Sequence, residues 1–275
     1  MVNFFAPGEI ASNACNISEK KNAIHFGKLS LLGILAGAYI AFGANLATVV
    51  GTGTIDTQGF GIHQMLFGAV FSVGLMMVII GGAELFTGNN MIMMVGALEG
   101  CVKWRDVAKN WTIVYFANFV GSLLLVGLIY VSFYSGDAVG LGGGAVAEKA
   151  VAIANAKVQL SWIAAFTRGI LCNWIVCMAV WLALASKDVI GKIFACMFLV
   201  MCFIASGFEH SIANMFFIPI GILINDFSAA EITATVTNLN WGSFIFANLI
   251  PVTIGNIVGG AIFVGSSYWY AHLKK

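Results

Sequence analysis

Charged side chains are scarce in this sequence. Asp, Glu, Lys and Arg together make up 9% of 275 residues, against roughly a quarter in soluble domains. A water-soluble chain of this length cannot cover itself with so few charges, so a soluble enzyme, a nucleic-acid binder and a disordered linker are all disfavoured. An excess of one sign is also missing. The formal net charge is +1, which selects no partner and gives no reason to expect nucleic acid. No Cys-x-x-Cys occurs among the six cysteines, and the four histidines are scattered with no His-Glu-x-x-His. The cysteines read as small buried hydrophobes, and no metal or cofactor is expected. A Gly-x-Ser-x-Gly nucleophile turn is absent too, which leaves a membrane enzyme without recognisable machinery. The apolar start over residues 1–5 is too short for a signal peptide and precedes the charges instead of following them.

What fills the chain is apolar: 60% of residues are hydrophobic and the mean hydropathy is +0.94. This composition predicts an all-α integral membrane protein. Six stretches are long enough to cross a bilayer core of about 30 Å, at roughly 29–50, 62–98, 111–133, 160–185, 189–224 and 241–268. Short alternating segments, the mark of a membrane barrel, are absent. The 32 glycines suit helices whose backbones approach closely. Ten of the 13 basic residues fall on one side of this topology: Lys20, Lys21, Lys28, Lys103, Arg105, Lys109, Lys187, Lys192, Lys274 and Lys275. Lys149 and Lys157 fall on the other, and Arg168 lies inside the fourth stretch. Both termini are therefore expected in the cytoplasm, with the protein in the cell's inner (plasma) membrane. Residues 7–24 carry Ile10, Ala14, Ile17 and Ile24 at helical spacing beside Lys20 and Lys21, which predicts an amphipathic helix on the cytoplasmic surface.

The chain also matches itself. Gly33-Ile34-Leu35 recurs as Gly169-Ile170-Leu171, Glu84 with Asn89 as Glu209 with Asn214, and Asn118-x-x-Gly121 as Asn256-x-x-Gly259. The order is kept and the offsets are similar. Three stretches per half make the second half enter from the opposite side, which predicts an inverted repeat over 28–135 and 160–275, joined by an outer loop at 136–159 and preceded by the amphipathic segment 1–27. The second and fifth stretches are too long for one straight helix and are interrupted at 81–90 and 206–211. Non-helical backbone at membrane depth survives only in protein or beside water. Half-helices starting near Gly88 and Ser211 would point free N–H groups and positive dipole ends inward, which favours an anion.

Each polar residue has a plain reading beside a functional one. Glu84 and Glu209, at equivalent places, read as supports whose carboxylates accept from free backbone N–H groups of the breaks. His210 lacks a repeat partner and reads as functional, while Thr87 offers a hydroxyl from the other break. Asn173 and Asn214 are either pore donors or amides that join helices. Lys157 is either a solvated loop lysine or an anion attractor at a pore mouth, and Arg168 either snorkels or pairs with an acid. His25, His63 and His272 read as interfacial.

Three motifs carry a resemblance: residues 82–88 (Gly-Ala-Glu-Leu-Phe-Thr-Gly), 205–215 (Ala-Ser-Gly-Phe-Glu-His-Ser-Ile-Ala-Asn-Met) and 248–256 (Asn-Leu-Ile-Pro-Val-Thr-Ile-Gly-Asn). From about Lys28 to Tyr270 the chain resembles the formate/nitrite transporter family. The resemblance implies an aquaporin-like fold of six spans, a homopentamer in the lipid bilayer, and a separate pore per protomer for small monovalent anions: formate, nitrite or hydrosulfide. It implies a central pore of His210, Thr87 and Asn173, with Asn214 beside them. It places an outer constriction at Phe71, Leu75 and Phe203, an inner one at Leu85, Phe86 and Val176, and an anion-attracting vestibule lysine at Lys157. Arg168 stands where some formate members have an uncharged residue and some nitrite members a basic one, which implies a channel not strict for formate. The whole chain is most similar to the hydrosulfide-conducting branch, so hydrosulfide is the expected substrate, with a proton recruited through His210. The alternative is an aquaporin-type channel for small neutral solutes. It shares the broken helices, but no Asn-Pro-Ala occurs and His210 occupies the centre.

Overall fold

The computed structural model describes residues 4–275; positions 1–3 of the expected N-terminal segment lie outside the described residues. The chain is helical almost throughout. The amphipathic segment forms α1 (Pro7–Ala23). Pro7 opens it at the position where a missing N–H costs nothing, and Glu9 accepts from the Ala6 N–H at 2.7 Å. Then follow α2 (Phe26–Gly51), α3 (Thr54–Gln58), α4 (Phe60–Gly81), α5 (Phe86–Leu98) and α6 (Trp104–Phe133). The second half holds α7 (Ala145–Val158), α8 (Trp162–Ala185), α9 (Val189–Ala205), α10 (Ser211–Phe227) and α11 (Trp241–His272). Asp188 caps α9 by accepting from the Gly191 N–H at 2.7 Å, and that bond holds its carboxyl below the usual carboxylate range.

Five helices are long and apolar enough to cross a membrane: α2, α4, α6, α8 and α11. The fifth expected stretch instead forms α9 and α10, of 17 residues each, and the second forms α4 followed by the 13-residue α5. The chain turns between these pairs on Gly82 and Gly207, with φ of +78° and +72°. Only glycine takes that conformation without cost.

Burial is inverted relative to a soluble protein. Asn89, Asn90, Asn110, Asn118, Asn173, Asn214, Asn248 and Asn256 are all buried. Phe116, Val120, Leu124, Leu128 and Val131 form an exposed apolar stripe along α6. Such an outer face suits hydrocarbon, and the inward amides join helices to one another. Close approach of backbones makes this possible. A Cβ on Gly121 would collide with the Ile34 carbonyl of α2, and one on Gly259 with the Ile170 carbonyl of α8. These are repeat-related contacts in the two halves.

Two details depart from the sequence reading. Helix α11 widens into π-helical turns at Phe244–Leu249 and Val258–Ser266, on either side of Pro251, which has no N–H to give a regular ladder. Cys15 and Cys101 are not buried hydrophobes. They form a disulfide, with Cα atoms 6.0 Å apart, that ties α1 to the turn after α5. Helix α1 reaches that position by burying Ile10, Ala11 and Ala14 against Met91, Ile92, Val95 and Trp181. Cys172, Cys177 and Cys196 are buried thiols as expected, whereas Cys202 is exposed.

Candidate functional site

The two chain breaks are held by the same set of bonds. At the first, Asn118 accepts from the Phe86 N–H at 2.9 Å and donates to the carbonyls of Gly33 and Glu84 at 2.8 and 2.9 Å. At the second, Asn256 accepts from the Ser211 N–H at 2.9 Å and donates to Gly169 and Glu209 at 2.8 and 3.0 Å. The Glu84 N–H reaches the Leu32 carbonyl, and the Glu209 N–H the Arg168 carbonyl. Each amide thus serves two backbone groups that the interrupted helix leaves open and ties them to a carbonyl of a neighbouring continuous helix, α2 or α8. This corrects the reading of Glu84 and Glu209. Their carboxylates do not accept from backbone N–H groups of the breaks, because Asn118 and Asn256 already take the first N–H of each following helix.

The carboxylates instead anchor charge. Glu84 accepts from Lys21 Nζ at 2.6 Å and from Asn89 at 2.8 Å, and Asn89 continues to Asn110 at 2.9 Å. Glu209 accepts from Lys157 Nζ at 2.8 Å and from Asn214 at 2.6 Å, and Asn214 continues to Asn248 at 2.7 Å. Lys157 is therefore neither a solvated loop lysine nor a free cation. Its partner by symmetry, Lys21, was read from sequence only as part of an amphipathic face. The available signal was spacing, since Lys21 and Lys157 are separated as Gly33 and Gly169 are. Both ion pairs are largely buried, where removing one partner strands the other charge.

Each pair borders a cavity. One, of about 280 Å³, is lined by His63, Lys149, Lys157, Arg168, Glu209 and Phe217 among others. The other, of about 200 Å³, is lined by Ile17, Lys21, Leu75, Glu84, Leu85 and Gly88 among others. A continuous series of buried groups runs from the first toward the second. Phe217 stacks on Phe71, Phe71 meets Phe203 edge-on, and Phe203 stacks on His210, with ring centroids 6.0–6.2 Å apart. His210 Nε2 then lies 3.0 Å from Thr87 Oγ1, next to Gly88 of the second cavity. Leu75, one turn along α4 from Phe71 and in the same buried core, also lines the Lys21 cavity beside Leu85. Phe86 packs edge-on against Tyr115 and Trp111 of α6, and Val176 is buried in the same core. Neither lines either cavity.

His210 is the residue before α10 and caps it. Its Nδ1 accepts from the Ala213 N–H at 3.1 Å. The neutral imidazole therefore carries its proton on Nε2 and donates to Thr87 Oγ1. The Thr87 hydroxyl hydrogen is left with no partner among the described residues. Asn173 is not a spare donor. Its amide nitrogen lies 2.7–3.1 Å from the Thr87 and Asn256 carbonyls and Asn90 Oδ1, so it fixes Thr87 from behind. Asn214 likewise spends its N–H groups on Glu209 and Asn248.

Two cavities, each bordered by a lysine–glutamate pair, with aromatic rings and one hydroxyl donor buried between them, are an arrangement that can accommodate a small anion. Comparison with known proteins agrees. The family model for the formate/nitrite transporter matches residues 8–270. The chain belongs to the formate/nitrite transporter family. Its relatives include a probable formate transporter of Methanothermobacter thermautotrophicus, 42% identical over 99% of both chains. The formate channel FocA of Escherichia coli K12 is 40% identical over 98% of this chain and 95% of that one. Among solved structures, a pentameric formate channel with formate bound superposes with a TM-score of 0.76 at 36% identity, covering 90% of this chain and 98% of that one. As a member of this family of membrane channels, the protein is a multi-pass membrane protein. No cluster of metal-ligating residues occurs among the described residues.

Proposed function

We propose that the protein is a homopentameric channel that passes formate and comparable small monovalent anions, one pore per protomer. Six spans arise by counting α4 with α5 and α9 with α10 as interrupted crossings, in two inverted three-helix halves. Both termini are cytoplasmic, so the Lys157 cavity is the outer vestibule and the Lys21 cavity the inner one. Formate replaces hydrosulfide as the first substrate, because the relatives quoted above carry formate in their names.

The observation that carries this reading is the His210–Thr87 pair set between two lysine-bordered cavities. An anion leaving water for the gap behind Phe71 and Phe203 faces a desolvation cost of at least several kcal/mol. The Thr87 hydroxyl offsets part of it by donating to the anion, and the Nε2–H of His210 polarises that hydroxyl. His210 acts as a neutral donor in this scheme. A second proton on Nδ1 would displace the Ala213 N–H and uncap α10, at a cost of roughly 1 kcal/mol. The lack of an Asn-Pro-Ala sequence and the formate-named relatives speak against the neutral-solute alternative.

Proteoliposome flux tests the reading. Formate and nitrite should enter, and glycerol should not. Thr87→Val, which keeps shape and removes the hydroxyl, should lower formate flux at least tenfold. Glycerol flux with no formate flux would establish the neutral-solute channel instead.

A further inference from the structure

The Lys157 cavity contains more positive charge than its ion pair uses. The Lys157 ammonium is held by Glu209 at 2.8 Å and sits 5.4 Å from the centre of the Phe217 ring. Among the described residues Glu209 is the only carboxylate lining the cavity, and Lys157, Asn214 and Asn248 occupy it. Two cations remain. Lys149 Nζ has one partner, the imidazole of His63, with Nε2 at 3.3 Å. The acceptor role of His63 is fixed from behind. Thr54 gives its hydroxyl hydrogen to the Gly51 carbonyl and lies 2.6 Å from His63 Nδ1, so that nitrogen carries the proton and Nε2 presents its lone pair to Lys149. Burial lowers the Lys149 pKa, against the opposing charge of Asp56, as for an ammonium that lacks a full set of partners. Arg168, at the wall of the same cavity, makes no side-chain hydrogen bond or ion pair among the described residues. Its backbone carbonyl is fixed by the Glu209 N–H, which ties its position to the second chain break.

We propose that Lys149 and Arg168 form a capture site for one small planar oxyanion ahead of the aromatic seal, with Lys157 as the already neutralised floor. It rests on the anion-channel reading above and narrows its substrate class. The planar guanidinium fork matches two oxygens on one carbon or nitrogen, as in formate or nitrite, and offers no such match to a single-atom anion. The ammonium of Lys149 adds a point charge that can exchange its imidazole acceptor for the anion. A vestibule of this kind raises the local anion concentration and the entry rate, and salt screens it. Neither cation touches His210 or Thr87, so the site governs entry and leaves passage through the centre unchanged.

Formate uptake into proteoliposomes, measured against concentration at low ionic strength, tests the site. Lys149→Gln with Arg168→Gln should raise the half-saturating formate concentration about tenfold, with the maximal flux within twofold of wild type. Arg168→Lys, which keeps charge and loses the fork, should recover less than half of that loss. Lys149→Arg should recover its share fully. In the unaltered protein, impermeant salt should raise the half-saturating concentration, and the double variant should have lost that dependence. This last measurement needs only the wild type if a variant fails to assemble. An unchanged half-saturating concentration in the double variant, or no salt effect in the wild type, overturns the capture site. An unaltered protein that carries no formate at all overturns the channel reading instead.

Discussion

Single amides decide the interior of this protein. Asn118 and Asn256 each bond three backbone groups, two at a chain break and one on a neighbouring continuous helix. Asn256→Leu should therefore cost about 3 kcal/mol, at roughly 1 kcal/mol per lost bond, read as a lower melting temperature of the assembly in detergent. Asn256→Asp keeps the acceptor for the Ser211 N–H but turns a second oxygen onto the Gly169 and Glu209 carbonyls, and should lose at least as much. His210 raises a different question at the same scale. Asparagine is itself a strong helix cap, so His210→Asn removes the ring while keeping α10 closed. Formate flux should fall, and its dependence on external pH should keep the wild-type slope. A flattened slope would mean that the imidazole carries a proton with the anion. His210 and Thr87 were legible in the sequence because a histidine and a threonine beside breaks in apolar stretches are hard to explain otherwise. Lys21 was not, because a lysine on an amphipathic helix has a sufficient explanation in solvent, and only tertiary contact with Glu84 removes it.

The helices carry a second kind of constraint. Where α2 meets α6, the Cβ of any residue at Gly121 would strike the carbonyl of Ile34. Gly121→Val should abolish assembly, while Gly127→Val, with open space at its Cα, should leave it intact; size-exclusion profiles distinguish the two. Helix α1 depends on its covalent link as well as on its buried face. Reduction of Cys15–Cys101 should expose two alkylatable thiols and speed tryptic cleavage at Lys20 and Lys21, with the Lys21–Glu84 pair as the remaining tether. The interruptions at 82–85 and 206–210 were legible because Gly and polar residues there contradict a helix of full membrane length. The disulfide was not, because residues 86 apart in sequence give no sign of meeting. Nor were the π turns of α11, which leave no periodic mark in an apolar stretch.

At the scale of the whole molecule, the proposed orientation rests on the split of basic residues and the proposed assembly on likeness to a pentameric formate channel. Cysteines introduced at Asp56 and Asp226 should react with an impermeant reagent added outside intact cells. Reaction only after the cytoplasm is opened would invert the topology. Crosslinking in membranes should give a ladder ending at five subunits, with a monomer at every dose counting against the assembly. The two-fold likeness of the halves was visible in three short matches, but its depth was not. Sequence offsets locate equivalent residues and cannot show that Leu32 and Arg168, or Gly33 and Gly169, accept the same bonds.

That likeness has an electrical consequence. Because the halves build the same lysine–glutamate–asparagine relay, an ion in the proposed inverted arrangement would meet a similar landscape whichever end it enters. A conduit of this shape should rectify only weakly, and the net direction of flow belongs to the gradient. What asymmetry remains is contributed by the unmatched residues, Arg168 and Lys149 at one mouth and α1 at the other. Current–voltage curves in symmetric formate should accordingly be close to straight, and Lys149→Gln with Arg168→Gln should straighten them further.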